Sequence, residues 1–146
     1  MVIAIFGESC TGKSTIAEEL SKRTNAKIYT GKDYLRFAKN EDEAKKQFAD
    51  MLKASETAAE TFIYVISEKA HLSLLPENAI RVLASAELGL IKERFAKRMN
   101  GRLPAPVSAM IEKKHGLFDG EKYDLHIENA GDGLSDSCDK IMDLCR

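Results

Sequence analysis

Two rhythms of apolar residues run along the chain. Short runs rich in β-branched and aromatic residues occur at 2–6 (Val-Ile-Ala-Ile-Phe), 27–29, 62–66 (Phe-Ile-Tyr-Val-Ile), 80–84 and 124–127. They are too short for buried helices, and the stronger ones lack alternation, so they predict strands covered on both faces. Between them, apolar residues recur at helical spacing: Ile16, Ala17 and Leu20 in 14–24, then Ala44, Phe48, Met51, Leu52, Ser55 and Ala59 in 41–60, then Leu88, Ile91 and Phe95 in 88–99. Shorter helices are expected over 33–39 and 107–114, with Gly101, Pro104 and Pro106 breaking the pattern across 100–106. Leu134, Cys138, Ile141, Met142 and Cys145 make a closing amphipathic helix, with Ser135 as its expected N-cap. Strands alternating with helices predict a parallel sheet flanked by helices, in one α/β domain over 1–146.

Composition narrows this picture. With 146 residues, 44% of them hydrophobic, the chain is long enough for one well-formed core. No apolar run approaches the roughly 20 residues of a membrane span, and the chain is expected in the cytoplasm. Lysine and arginine total 22 against 23 acidic residues, a balance that argues against general nucleic-acid binding. Cys10, Cys138 and Cys145 are odd in number and widely spaced, which fits reduced thiols. His71, His115 and His126 lack metal-ligand spacing and are expected in structural or surface roles, His126 packed in the last strand.

The most informative segment is Gly7-Glu8-Ser9-Cys10-Thr11-Gly12-Lys13-Ser14, followed by Thr15, which matches G-x-x-x-x-G-K-[ST] in full. Glycines at its ends permit a tight loop, and its backbone N–H groups form a nest for phosphate at a helix N-terminus. Lys13 is placed to neutralise the β- and γ-phosphates of ATP, and the Ser14 hydroxyl to ligate Mg²⁺. The loop follows a predicted buried strand and opens a helix, which is the context the motif requires. Glu8 is out of place beside a polyphosphate and is expected to point to solvent. Cys10 is expected to be a small packing residue.

After the second predicted strand comes Thr30-Gly31-Lys32-Asp33-Tyr34-Leu35-Arg36. With Lys32 taken as a one-residue insertion, it resembles the T-G-D-x-x-R signature of the adenylate and cytidylate kinases. The resemblance implies that Arg36 clamps an acceptor phosphate, that Thr30 and Gly31 are turn contacts, and that Tyr34 walls the acceptor pocket, in a segment spanning about 30–60. On an α-helix one extra residue rotates every later side chain by about 100°, so the insertion shifts the direction in which Arg36 projects. Asp33 supports another chemistry, accepting the proton of a hydroxyl acceptor as in enzymes like shikimate kinase. The bland alternative makes Asp33 a helix cap and Arg36 a solvated residue.

Residues 92–114 carry seven basic side chains (Lys92, Arg94, Lys97, Arg98, Arg102, Lys113, Lys114) against two acidic ones, whereas 117–146 carries eight acidic against three basic. Arg94 and Arg98 are four apart and share a helix face. This segment resembles the lid of cytidylate and shikimate kinases, which implies that Arg94 and Arg98 are catalytic and that Arg102 contacts substrate. The resemblance also implies that 123–129 is the last strand and that 129–133 borders the adenine. It further implies a P-loop NTPase fold with strand order 2-3-1-4-5. One departure is plain: the third strand leads into Ser67-Glu68, where many P-loop proteins carry a Mg²⁺-supporting aspartate, and Glu68 is a candidate substitute.

These residues converge on an ATP- and Mg²⁺-dependent phosphotransferase resembling cytidylate kinase, acting on a nucleoside monophosphate as monomer or homodimer. Alternatives are a kinase of a small hydroxylated metabolite, and a nucleotide-binding regulatory protein with little turnover.

Overall fold

A computed structural model describes residues 1–128 and 133–145. Five strands, β1 (Val2–Phe6), β2 (Lys27–Thr30), β3 (Phe62–Ile66), β4 (Ile80–Ser85) and β5 (Leu125–Glu128), form one sheet in the order β2-β3-β1-β4-β5. All four pairings are parallel. The α/β class expected from the sequence pattern and the strand order implied by the resemblance are those observed. The central strands β1 and β3 are buried at every position, matching their unbroken apolar runs.

Alternate residues of each strand feed opposite layers. Ile3, Ile5, Ile63, Val65, Val82 and Ala84 pack against α1 (Lys13–Thr24) and α5 (Leu134–Leu144) through Ile16, Leu20, Cys138 and Ile141. On the other face Ala4, Phe6, Tyr64 and Ile66 pack with Ala44, Phe48 and Leu52 of α2 (Glu41–Ala54) and with Phe118. A third cluster joins α3 (Leu88–Arg98) to α4 (Ala105–Lys114) through Ile91, Phe95, Leu103, Val107 and Ile111, together with Cys10 and Ala86. Cys10 is therefore the packing residue expected of it.

Local chemistry explains the element boundaries that differ from expectation. The helix expected to reach residue 60 ends at Ala54, where the Ser55 and Thr57 hydroxyls donate to Leu52 O and Ala54 O, terminating the turn. Its start is conventional, with Asn40 Oδ1 accepting from Glu43 N at 3.0 Å and three acidic residues in the first turn. The helix expected over 33–39 is a 3-10 segment, Gly31–Arg36, and Lys69–Leu74 forms another where none was expected. α4 begins at Ala105 and carries Pro106 in its first turn, where the missing N–H costs nothing. α5 starts at Leu134 with Gly133 in the N-cap position. Ser135 instead accepts a hydrogen bond from Arg23 at 3.2 Å. His126 is exposed and hydrogen-bonds Ser85 Oγ at 2.6 Å, so it is not packed as expected; His71 is the buried histidine. No helix among the described residues is long and apolar enough to cross a membrane.

Candidate functional site

The phosphate-loop sequence sits at the carboxyl end of β1, as open α/β sheets place ligand sites. A Cβ on Gly7 would lie 2.1 Å from Ala84 O on neighbouring β4, so only glycine fits there. Cys10 (φ 65°) and Gly12 (φ 90°) take left-handed backbone, which curls the loop around the start of α1. The Thr11 hydroxyl donates to Glu8 O at 2.8 Å, and Lys13 Nζ donates to that same carbonyl.

Lys13 is only 5% exposed. Burial holds its ammonium down to about 8 from 10.5, and the Arg98 charge pushes the same way against the opposing pull of Cys10 and Glu8. A buried, crowded cation of this kind gains from any anion brought to it. A cavity of about 130 Å³ is lined by Ser9, Cys10, Gly12, Lys13, Ser14, Thr15, Val65, Ser67 and Arg98. Loop, start of α1, end of β3 and one arginine of α3 thus meet at one point.

The expected lid arginines divide. Arg94 Nη1 donates to Cys10 O at 2.8 Å, from 84 residues along the chain. Arg98, one turn on, lines the Lys13 cavity. Arg102 lies exposed beyond α3, in the connection that turns through Asn100 (φ 60°) and Gly101 (φ 86°). The connection leads into α4, and a Lys92–Glu112 ion pair bridges α3 and α4. The structure therefore brings Arg94 and Arg98 to the loop and leaves Arg102 in solvent.

On the acceptor side, Thr30 is the register partner of Val65, a residue that lines the cavity. Asp33 Oδ2 accepts from Thr30 N at 2.8 Å and Thr30 Oγ1 at 3.3 Å, a capping box that fixes the carboxylate just past β2. Gly31 offers its carbonyl to the Tyr64 hydroxyl at 2.7 Å, tying the turn to β3. Arg36 is 71% exposed and pairs with Asp33 at 3.5 Å. Tyr34 is buried against Phe48 and His71, with its hydroxyl donating to Glu41 at 3.2 Å. Tyr34 is thus part of the core cluster under α2.

Two residues depart from their sequence reading. Glu8 does not point to solvent: its side chain is 14% exposed and accepts from Gly116 N at 2.5 Å, with His115 Nδ1 at 3.2 Å. Glu68 pairs with His71 at 3.7 Å and is not in the wall of the Lys13 cavity, where Ser67 occupies the strand-end position. Reasoning from sequence missed His115 and Gly116, whose link to Glu8 spans more than a hundred residues. The expected border of the adenine at 129–133 lies, except for Gly133, outside the described residues.

No family model matches the chain. No curated protein matches it either. Solved structures do. Shikimate kinase from Acinetobacter baumannii, in complex with shikimate, superposes with a TM-score of 0.66 at 14% identity, over 99% of this chain and 92% of that one. The fold is that of the P-loop kinases. The YorR protein of Bacillus subtilis, in complex with phosphorylated GDP, gives 0.64 at 18% identity over 99% and 95%. A sugar kinase from a Janibacter species gives 0.63 at 15% identity over 97% and 92%.

Proposed function

We propose that this chain is an ATP-dependent kinase of a small molecule, with a hydroxyl group as its acceptor. The observation that carries the phosphotransfer reading is the meeting of buried Lys13, Ser14 and Arg98 in one cavity, with Arg94 on the loop beside it. Phosphoryl transfer depends on positioning and charge stabilisation, and these residues supply fixed positive charge where the transferred oxygens would lie. The hydroxyl-acceptor reading is supported by Asp33, held in place at the end of β2, and by Arg36, which projects to solvent. Two of the similar structures, by their names, are kinases of shikimate and of a sugar.

The residues present fit a nucleotide and Mg²⁺. The loop backbone and Lys13 suit a polyphosphate, and the hydroxyls of Ser14 and Ser67 are hard oxygen donors in the same cavity wall. Mg²⁺ commonly keeps several waters and takes few protein ligands. When bound, it would neutralise the phosphate oxygens and orient them. On this reading Lys13 leaves the Glu8 carbonyl for the phosphates, and Arg98 faces the γ-phosphoryl. The acceptor oxygen bonds to the γ-phosphorus, the bond from that phosphorus to the bridging oxygen breaks, and ADP leaves with the electron pair. Asp33 takes the proton of the hydroxyl.

A second reading keeps a nucleoside monophosphate as acceptor. It is favoured by the Thr30–Arg36 resemblance and by the phosphorylated GDP bound to the similar YorR protein. The test is ATP consumption with Mg²⁺ against pools of hydroxylated metabolites, nucleosides and nucleoside monophosphates, with Lys13→Met as blank. Turnover with the first or second pool supports the leading reading, and turnover only with monophosphates moves it to the second. ATP binding without turnover on any pool supports a regulatory nucleotide-binding protein and refutes both.

A further inference from the structure

We infer that Glu8 is a positioning residue whose carboxylate ties the phosphate loop to the end of α4, holding the α3–α4 hairpin and its arginines over the loop; this rests on the phosphotransfer reading above. A carboxylate in an anion-binding loop repels the anion, since like charges in a partly buried site interact strongly. Such a residue has to serve another contact. Its Oε1 accepts from Gly116 N at 2.5 Å and its Oε2 meets His115 Nδ1 at 3.2 Å.

The donor arises from the way α4 ends. His115 leaves the helix in extended backbone (φ −62°, ψ 129°), and the left-handed Gly116 (φ 81°) follows it. The Gly116 N–H is thereby presented outward, and Glu8 satisfies it. Lys114 lines a cavity together with Glu8.

The main chain of Glu8 is equally committed. Its carbonyl takes both Lys13 Nζ and the Thr11 hydroxyl, so the position of Glu8 sets where the loop lysine is held. At the other helix of the hairpin, Arg94 holds Cys10 O, and Cys10 packs with Ile91 and Ile111. Besides this apolar packing, a hydrogen bond from each end of the hairpin fastens it to the loop, Arg94 of α3 to Cys10 O and Gly116 N after α4 to Glu8. Releasing the α4 fastening loosens the hairpin that carries Arg94 and Arg98, while the loop keeps its backbone nest.

The test is amide hydrogen exchange without nucleotide, comparing the wild type with Glu8→Ala and Glu8→Gln. Glu8→Ala is expected to speed exchange across 88–114 by about tenfold while leaving α1 and α5 unchanged. Glu8→Gln keeps an acceptor for Gly116 N–H and is expected to stay within about threefold of wild type. Unchanged hairpin rates in Glu8→Ala, an equal rise in α1 and α5, or a Gln variant as loose as Ala would each overturn the inference. In the kinase assay Glu8→Ala is expected to lower kcat about tenfold with the KM for ATP changed less than about threefold. A rise in KM alone overturns the inference. If the wild type turns over no acceptor, the kinase reading fails, and the exchange comparison still decides whether the tie exists.

Discussion

Replacing Lys13 by methionine should make the protein more stable while removing its activity. In the folded chain the Lys13 ammonium is held down to about 8, mainly by burial, whereas an exposed lysine titrates at 10.5. At about 1.4 kcal/mol per pH unit, keeping that buried ammonium charged costs about 3 kcal/mol of stability at pH 7. Methionine matches the stem in shape and adds no charge, but it abandons the hydrogen bond to Glu8 O, worth about 1 kcal/mol. The Thr11 hydroxyl still satisfies that carbonyl. The expected net gain is about 2 kcal/mol at neutral pH, read from urea unfolding without nucleotide.

The sign fixes the pH dependence. Because the folded value lies below the unfolded one, the unfolded chain binds more protons between about 8 and 10.5, and wild-type stability rises across that window. The advantage of Lys13→Met should be full below pH 8, shrink as pH rises, and reverse by about 1 kcal/mol above 10.5, where only the lost hydrogen bond remains. A variant no more stable than wild type at pH 7, or a gap that stays flat from pH 7 to 10.5, refutes the reasoning. Adding ATP with Mg²⁺ should invert the order at neutral pH, since only the wild type gains linked binding energy.

ATP affinity of the wild type, measured by titration calorimetry, should fall as pH rises through about 8, where Lys13 loses its proton. Arg94→Ala and Arg98→Ala should each lower kcat about a hundredfold, and Arg102→Ala should leave steady-state rates within about twofold. Asp33→Asn should abolish transfer to a hydroxyl acceptor while Arg36→Ala is mild; the reverse order in the same assay identifies a phosphate acceptor. Burial lowers the pKa of His71 against the opposing pull of Glu68. The unfolded chain therefore takes up a proton first, and stability should fall as pH drops below about 6.5. His71→Phe should remove that dependence in acid-side thermal melts.

How far the fold could be read from the chain depends on where its signals reside. The runs at 2–6 and 62–66 are buried on both faces, and their composition alone marks them as central strands. α1 and α3 announce themselves through apolar residues at helical spacing. The 3-10 segment Lys69–Leu74 lacks such a stripe, and its burial comes from His71 meeting Tyr34 and from Leu74 joining the core cluster around Phe48 after the chain has folded. The early end of α2 was a contest between periodicity, which continued to Ala59, and the hydroxyls of Ser55 and Thr57, which captured the last carbonyls.

The site divides along the same line. Gly12, Lys13 and Ser14 sit side by side in the loop and the first turn of α1, so their spacing alone marked the motif, while the need for glycine at Gly7 also comes from Ala84 O on β4. Arg94 and Arg98 were legible as a pair on one face, but their ranking above Arg102 needed the turn at Asn100 and Gly101 that carries Arg102 away. Glu8 marks the limit. Read beside its sequence neighbours, a carboxylate next to a phosphate is unfavourable and solvent is its natural destination. Its actual partners are a histidine and a glycine amide that become available only where α4 terminates, after the chain has crossed β3, β4 and the whole hairpin. The residue that looked least suited to the loop thus adds, at the end of α4, a second hydrogen-bonded tie to the hairpin that Arg94 already holds through Cys10 O, and it does so through contacts more than a hundred positions away.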